Sequence, residues 1–143
     1  MEIKLYEGVP AKEIVDAILD VHKEVFEDET LPEKAATKQN VRFFVAWDNE
    51  KVAGYKIGYE LSPDTFYSWY GAVRPEYRGQ GIASTLMKQQ HHYLKDAGYV
   101  MVETKTRNKW REMLILNIKH GFDVTETFFD GDGIHRIILR KQL

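Results

Sequence analysis

The chain has 143 residues, 43% hydrophobic and 29% charged, which is enough for a single domain that buries about two-thirds of the surface its unfolded chain would expose. A formal charge of −2 provides no attraction to nucleic acid or to an anionic membrane, so neither is expected as a partner. Cysteine is absent, which excludes disulfides and cysteine-based metal sites, and the first residues lack the apolar run of a signal peptide, so a cytoplasmic protein is expected.

In chain order, Ile3–Tyr6 alternates weakly and reads as a strand. Pro10 opens a helix at a position where a missing N–H costs nothing. Ile14, Val15, Ile18, Val21, Val25 and Phe26 follow on one apolar stripe. Pro32 starts a second, short helix to Gln39. Val41–Trp47 and Val52–Leu61 are strand-like and meet at the turn Asp48-Asn49-Glu50-Lys51. A further turn at Ser62-Pro63-Asp64 leads into Phe66–Val73, which is rich in aromatic residues.

After a glycine-containing loop, Ile82–Ala97 is a helix closed by Gly98. Tyr99–Thr106 is a strand, Trp110–His120 a helix stopped by Gly121, and Phe122–Phe129 and Ile134–Leu139 a hairpin around Asp130-Gly131-Asp132-Gly133. No repeat, linker or low-complexity tract divides the chain, so residues 1–143 form one domain. The order β-α-α-β-β-β-α-β-α-β-β predicts a mixed α/β (α+β) fold in which helices flank a central, mostly antiparallel sheet.

The segment from Val73 to Ser84 carries the chemistry. A strand runs into a tight turn and then directly into a helix, with Gly79 and Gly81 permitting close backbone approach. Unpaired N–H groups and the positive helix end suit a pyrophosphate there. The same residues also describe a helix that merely begins after a glycine turn. A Rossmann loop is incomplete, because position 84 is Ser, and no Gly-Lys-Ser/Thr completes a Walker loop.

Arg78-Gly79-Gln80-Gly81-Ile82-Ala83 resembles the Arg/Gln-x-x-Gly-x-Gly/Ala signature of the GNAT acetyltransferases. Val73, Pro75 and Tyr77 resemble the Val-x-Pro-x-Tyr that precedes it, and Gly121-Phe122 the Gly-Phe that closes the family's last helix. The resemblance implies an acetyl-CoA-dependent N-acetyltransferase acting on a primary amine of a small molecule or protein. It implies that Arg78, Gly79, Gln80, Gly81, Ile82, Ala83 and Ser84 hold the coenzyme pyrophosphate. It further implies that the backbone of Ala72 and Val73, beside a strand bulge, binds pantetheine and polarises the thioester.

An acceptor amine with pKa about 10.4 must lose a proton before it attacks. Val102-Glu103-Thr104-Lys105-Thr106-Arg107-Asn108 is similar to the Leu-Glu-Val-x-x-x-Asn stretch of ribosomal-protein N-terminal acetyltransferases, which makes Glu103 the first candidate base and Glu60 the second. Where many relatives carry a tyrosine acid, this chain has Asn117, expected to contact the coenzyme. The alternative is an acyl-CoA-binding module without turnover.

Among the other residues, His22 on the first apolar stripe reads as a packed histidine, and His120 and His135 complete no metal-binding pair, so no metal is expected. The basic run Lys105, Arg107, Lys109 and Arg111 reads as a solvated loop. Tyr67, Trp69 and Tyr70 are expected to divide between core and an acceptor pocket. The aromatic content of 13% and the C-terminal hairpin suggest a homodimer.

Overall fold

The computed structural model describes residues Met1–Leu143. In chain order the elements are β1 (Glu2–Glu7), α1 (Lys12–Phe26), α2 (Leu31–Ala35), β2 (Arg42–Asp48), β3 (Lys51–Ser62), β4 (Thr65–Val73), α3 (Ile82–Asp96), β5 (Met101–Thr106), α4 (Arg111–Lys119), β6 (Asp123–Phe129) and β7 (His135–Gln142). The seven strands form one sheet in the order β1-β2-β3-β4-β5-β7-β6. Only β4 and β5 run parallel, because α3 connects them; the other neighbours are antiparallel. The expected order and sheet type hold throughout. Pro10 lies just outside α1, before Ala11 at the helix cap, and α2 ends four residues earlier than Gln39. None of the helices is long and apolar enough to cross a membrane.

Alternation along β2 and β3 sends successive side chains to opposite faces of the sheet. Phe43, Val45, Val52, Tyr55 and Ile57 pack under Ile18 and Val21 of α1. Phe44, Ala46 and Ala53 pack under Ile82 and Leu86 of α3. Residues Val52–Gly58 of β3 are therefore buried on both faces. Beyond β4, a second core joins Phe66, Met87, Leu94, Val102, Phe122, Ile137 and Leu139. Each fully buried aliphatic or aromatic side chain contributes roughly 1.5–3 kcal/mol.

Two irregularities position the site. Ile57 pairs with Tyr70 while Gly58 pairs with Ser68, so Trp69 is an extra, bulged residue in β4. The parallel pairing of β4 with β5 starts at Thr65 with Met101 and stops at Ser68 with Thr104. Past that point the two strands separate. The bulge also explains Gly58. A Cβ there would lie 2.3 Å from Phe66 Cε2 and 2.5 Å from the Tyr67 carbonyl oxygen.

One charge sits inside this core. Lys56 of β3 is 7% exposed, and burial lowers its pKa from 10.5 to about 8. Desolvation of the ammonium is unfavourable whatever the sequence around it.

Two outcomes follow for stability. Gly58→Ala should cost about 1–3 kcal/mol by overpacking, read from urea unfolding. Lys56→Met keeps the volume and removes the buried charge, so it should gain about 1–3 kcal/mol at neutral pH. The lysine's folded pKa lies below its unfolded one, so its cost is fully present below pH about 8 and is relieved as pH rises towards 10.5. The advantage of Lys56→Met should shrink over that window.

Candidate functional site

Where β4 and β5 part, a cavity of about 1110 Å³ opens through the sheet. From Trp69 onward β4 pairs with β3 alone. The N–H and C=O groups along its other edge therefore face the cleft, and polar backbone groups in such a place need partners. The apex of the fork is closed by the Thr104 hydroxyl, which donates to the Ser68 carbonyl at 2.8 Å. Ala72 and Val73 line the cavity further along the same free edge. The bulge itself lies upstream of them, at Trp69.

The free edge leads to the turn into α3. Gly79 and Gly81 have φ of 78° and 79°, a region that L side chains seldom adopt, and a Cβ on either would project into open space. No side chain caps α3. Its first amide with a backbone acceptor is that of Thr85, bonded to Gly81 O at 3.0 Å, so the N–H groups from Gly79 to Ser84 bond to no carbonyl. Arg78, Gly79, Gly81, Ile82, Ala83 and Ser84 line the cavity, whereas Gln80 does not. Six unpaired amides in series stand at the positive end of a 15-residue helix, an arrangement that favours negative charge.

Tethers hold this turn in place. Pro75 begins a single 3₁₀ turn, and the Tyr77 hydroxyl donates to Asp48 at the end of β2. Arg74 Nε donates to the Val52 carbonyl at 2.6 Å, and Arg78 Nε to the Val73 carbonyl at 3.0 Å. Lys51 and Glu76 form an ion pair at 3.0 Å. The Val-x-Pro-x-Tyr pattern thus has a mechanical meaning: it straps the turn to a rigid hairpin.

On α4, Asn117 is 2% exposed and lines the cavity. Ser84 bonds to His120 at 2.8 Å, which ties α3 to the end of α4. On the α1 side, Phe26, Tyr67, Trp69, Tyr70 and Trp110 wall the cleft. Phe26 packs on Tyr70 and Trp110 with ring centroids at 5.2 and 5.4 Å. Lys105, Arg107, Lys109 and Arg111 line the cavity too, and Lys105 and Lys109 lie over the rings of Tyr67 and Trp110.

The expected carboxylates sit elsewhere. Glu103 lies on β5 in an ion pair with Arg140 at 2.8 Å, and Glu60 accepts from the Tyr99 hydroxyl at 2.7 Å and from Asn40 at 3.2 Å. Neither lines the cavity. The carboxylates that do are Asp28, Glu112 and Asp130. Asp130 is bound to its own hairpin turn and to Arg136, which hold its pKa below the usual range. Sequence reasoning passed over Asp28 and Lys56. The signal for Lys56 was a lone charge within the run Val52–Tyr59; Asp28 had no local signal.

The chain resembles known proteins in both sequence and shape. Residues 11–112 match the model of the acetyltransferase (GNAT) family. None of the curated proteins matches the sequence. Among solved structures, a GNAT family acetyltransferase from Elizabethkingia anophelis with acetyl-CoA bound superposes with a TM-score of 0.74 at 21% identity, covering 99% of this chain and 98% of that one. The ribosomal-protein-S18-alanine N-acetyltransferase from Escherichia coli gives 0.80 at 17% identity over 99% and 94% of the two chains. An acetyltransferase of the GNAT family from Streptococcus pneumoniae gives 0.73 at 15% over 99% and 100%. At such identities the structural likeness establishes the fold, and the family rests on the sequence match. A parted sheet, an uncapped glycine turn and a family match over most of the chain agree: this protein belongs to the GNAT acetyltransferase family.

Proposed function

We propose that the protein transfers the acetyl group of acetyl-CoA to a primary amine of a small molecule or protein. The observation that carries this reading is the run of unpaired amides from Gly79 to Ser84, opening onto the free edge of β4. The amides suit a pyrophosphate, and the strand edge offers an extended chain such as pantetheine the ladder that β5 has vacated. Ala72 and Val73 lie along that path, and Asn117 faces it from α4. The Elizabethkingia relative, with acetyl-CoA bound, supports the same assignment. Bound there, acetyl-CoA would supply the acyl group, while the protein orients it, excludes water and takes up the amine proton.

For that proton, the family resemblance nominates Glu103 and then Glu60. Glu103 would have to leave Arg140, and Glu60 would have to leave Tyr99, before either met a substrate in the cleft. These engagements, with Asn117 in place of an acid, favour one second reading: an acyl-CoA-binding module without turnover.

Calorimetry with acetyl-CoA and a thiol-release assay over an amine panel separate the two readings. The enzyme both binds and releases thiol, whereas the module only binds. Gly81→Val should weaken acetyl-CoA binding by about tenfold or more, because a β-branched residue at positive φ costs roughly 1–2 kcal/mol and distorts the amide row. Asn117→Ala should raise KM for acetyl-CoA and leave kcat near its starting value, the pattern of a lost binding contact.

Self-association is a second part of the proposal. Strand β6 ends the sheet, every one of its residues is exposed, and Phe129 is 71% exposed. Such an edge invites pairing with another strand. Light scattering should report a dimer at micromolar concentration; a monomer would dispose of the idea.

A further inference from the structure

Three side chains outside the coenzyme half of the cleft form a continuous chain. His22 of α1 is 0% exposed. Its Nε2 lies 3.0 Å from Asp28 Oδ2, and its Nδ1 meets the Tyr55 hydroxyl. The Thr30 hydroxyl and amide donate to Asp28 Oδ1 at 2.6 and 3.1 Å. An ionised carboxylate only accepts, so Asp28 places the imidazole proton on Nε2. Nδ1 is then the acceptor and the Tyr55 hydroxyl the donor. The chain has one direction: Tyr55 to His22 to Asp28.

Both ends border the cleft, Tyr55 as a wall residue that is 1% exposed. Tyr55 and Asp28 line it, as do Phe26 and Tyr70, whose rings pack on His22 at centroid distances of 5.0 and 4.8 Å. A packed histidine needs one donor and one acceptor. Here the two partners are a carboxylate and a cavity-lining phenol, held by separate elements.

We propose that Tyr55, His22 and Asp28 are the proton path of acetyl transfer and relieve the acceptor ammonium of its proton. This rests on the acetyltransferase reading above. The acceptor's ammonium proton passes to the Tyr55 oxygen as the Tyr55 hydroxyl proton moves to His22 Nδ1. That leaves a neutral amine and an imidazolium paired with Asp28. The amine lone pair then forms the C–N bond to the acetyl carbon, the C–S bond breaks, and its electron pair leaves on sulfur. The second nitrogen proton neutralises the thiolate. After product leaves, His22 returns its proton through Tyr55 to solvent.

The surrounding charges agree with these roles. The Thr30 hydroxyl, aided by His22, holds Asp28 below the usual carboxylate range, so it stays charged. Burial, with Tyr70 and Asp28 nearby, pushes Tyr55 well above 10, so it passes a proton on without storing charge. Burial lowers His22 and outweighs the opposing pull of Asp28, while Lys34 of α2 adds to the lowering. Asp28, Lys34, Tyr55 and Tyr70 are the groups that face this path. His22 is therefore neutral, and ready to accept, at pH 7.

The test uses Tyr55→Phe, which deletes one oxygen, and Asp28→Asn, which can donate to Nε2 and reverse the tautomer. Acetyl-CoA binding is measured by calorimetry, and thiol release with 2-phenylethylamine and free amino acids as acceptor probes. Wild type should show an acidic limb in kcat below histidine's ordinary pKa of 6.5. Each variant should lose about 10²-fold or more in kcat while still binding acetyl-CoA, and Tyr55→Phe should flatten that limb. Nitrogen NMR of the imidazole should report the Nε2–H tautomer in wild type and its loss in Asp28→Asn. If both variants keep wild-type kcat and limb, the path is overturned, and likewise if Glu103→Gln removes the limb and Tyr55→Phe does not. Acetyl-CoA binding without thiol release would sink turnover and the path together, and an absence of binding would sink the coenzyme reading itself.

Discussion

The organisation of this protein depends on one ladder that stops. Strands β4 and β5 pair from Thr65 to Ser68 and then diverge, although both strands continue. A parallel pair inside a sheet is ordinarily covered and complete. Ending it midway exposes a row of backbone donors and acceptors that the protein does not satisfy itself. The extra residue Trp69 turns β4 at that point, and Thr104 closes the apex with its hydroxyl. Everything placed around the cleft takes its position from this fork.

The fork alone is a groove; the turn after β4 adds a row of open amides to it. A helix start leaves several N–H groups without a partner inside the helix. Here the amides from Gly79 to Ser84 stay open, and the turn is strapped to the β2–β3 hairpin by Tyr77, Arg74 and the Lys51–Glu76 pair. Preorganised amides lose little on binding, because the backbone is already held. The exposed Lys51–Glu76 pair adds little energy of its own. The bonds of Tyr77 to Asp48 and of Arg74 to the Val52 carbonyl fix the geometry.

The polar groups placed inside the molecule follow a similar economy. Lys56 is desolvated with no counter-ion to restore its charge, which is why its pKa falls. His22 is equally buried, yet both ring nitrogens are satisfied. Burial wins over the carboxylate in setting its protonation, so the ring remains a neutral link between a phenol and a carboxylate. Phe26 and Tyr70 pack against the core under α1, and together with Trp110 they wall the cleft.

Much of this could be read from residue order. The helices and strands follow apolar spacing, and the turn into α3 is a contiguous motif whose glycines and proline act on near neighbours, whereas Tyr77 reaches Asp48, 29 positions away. Local features of this kind determined the element order and the sheet type, while the row of open amides at the glycine turn emerged from the folded backbone. Three further things depended on folding. The boundary of α2 moved because the bonding tightens after Ala36, with Thr37 N–H on the Lys34 carbonyl and Lys38 N–H on the Ala35 carbonyl. The bulge fell at Trp69, not beside Ala72, because register is a property of two strands and not of one. The carboxylates were sorted last. Glu103 met Arg140 across a strand pair, Glu60 met Tyr99, and Asp28, with no local pattern to distinguish it, reached the cleft beside His22 and Tyr55. His22 and Tyr55 are 33 positions apart, and only the packing of α1 on β3 makes them neighbours, which is why side-chain chemistry between distant elements was decided by the tertiary structure.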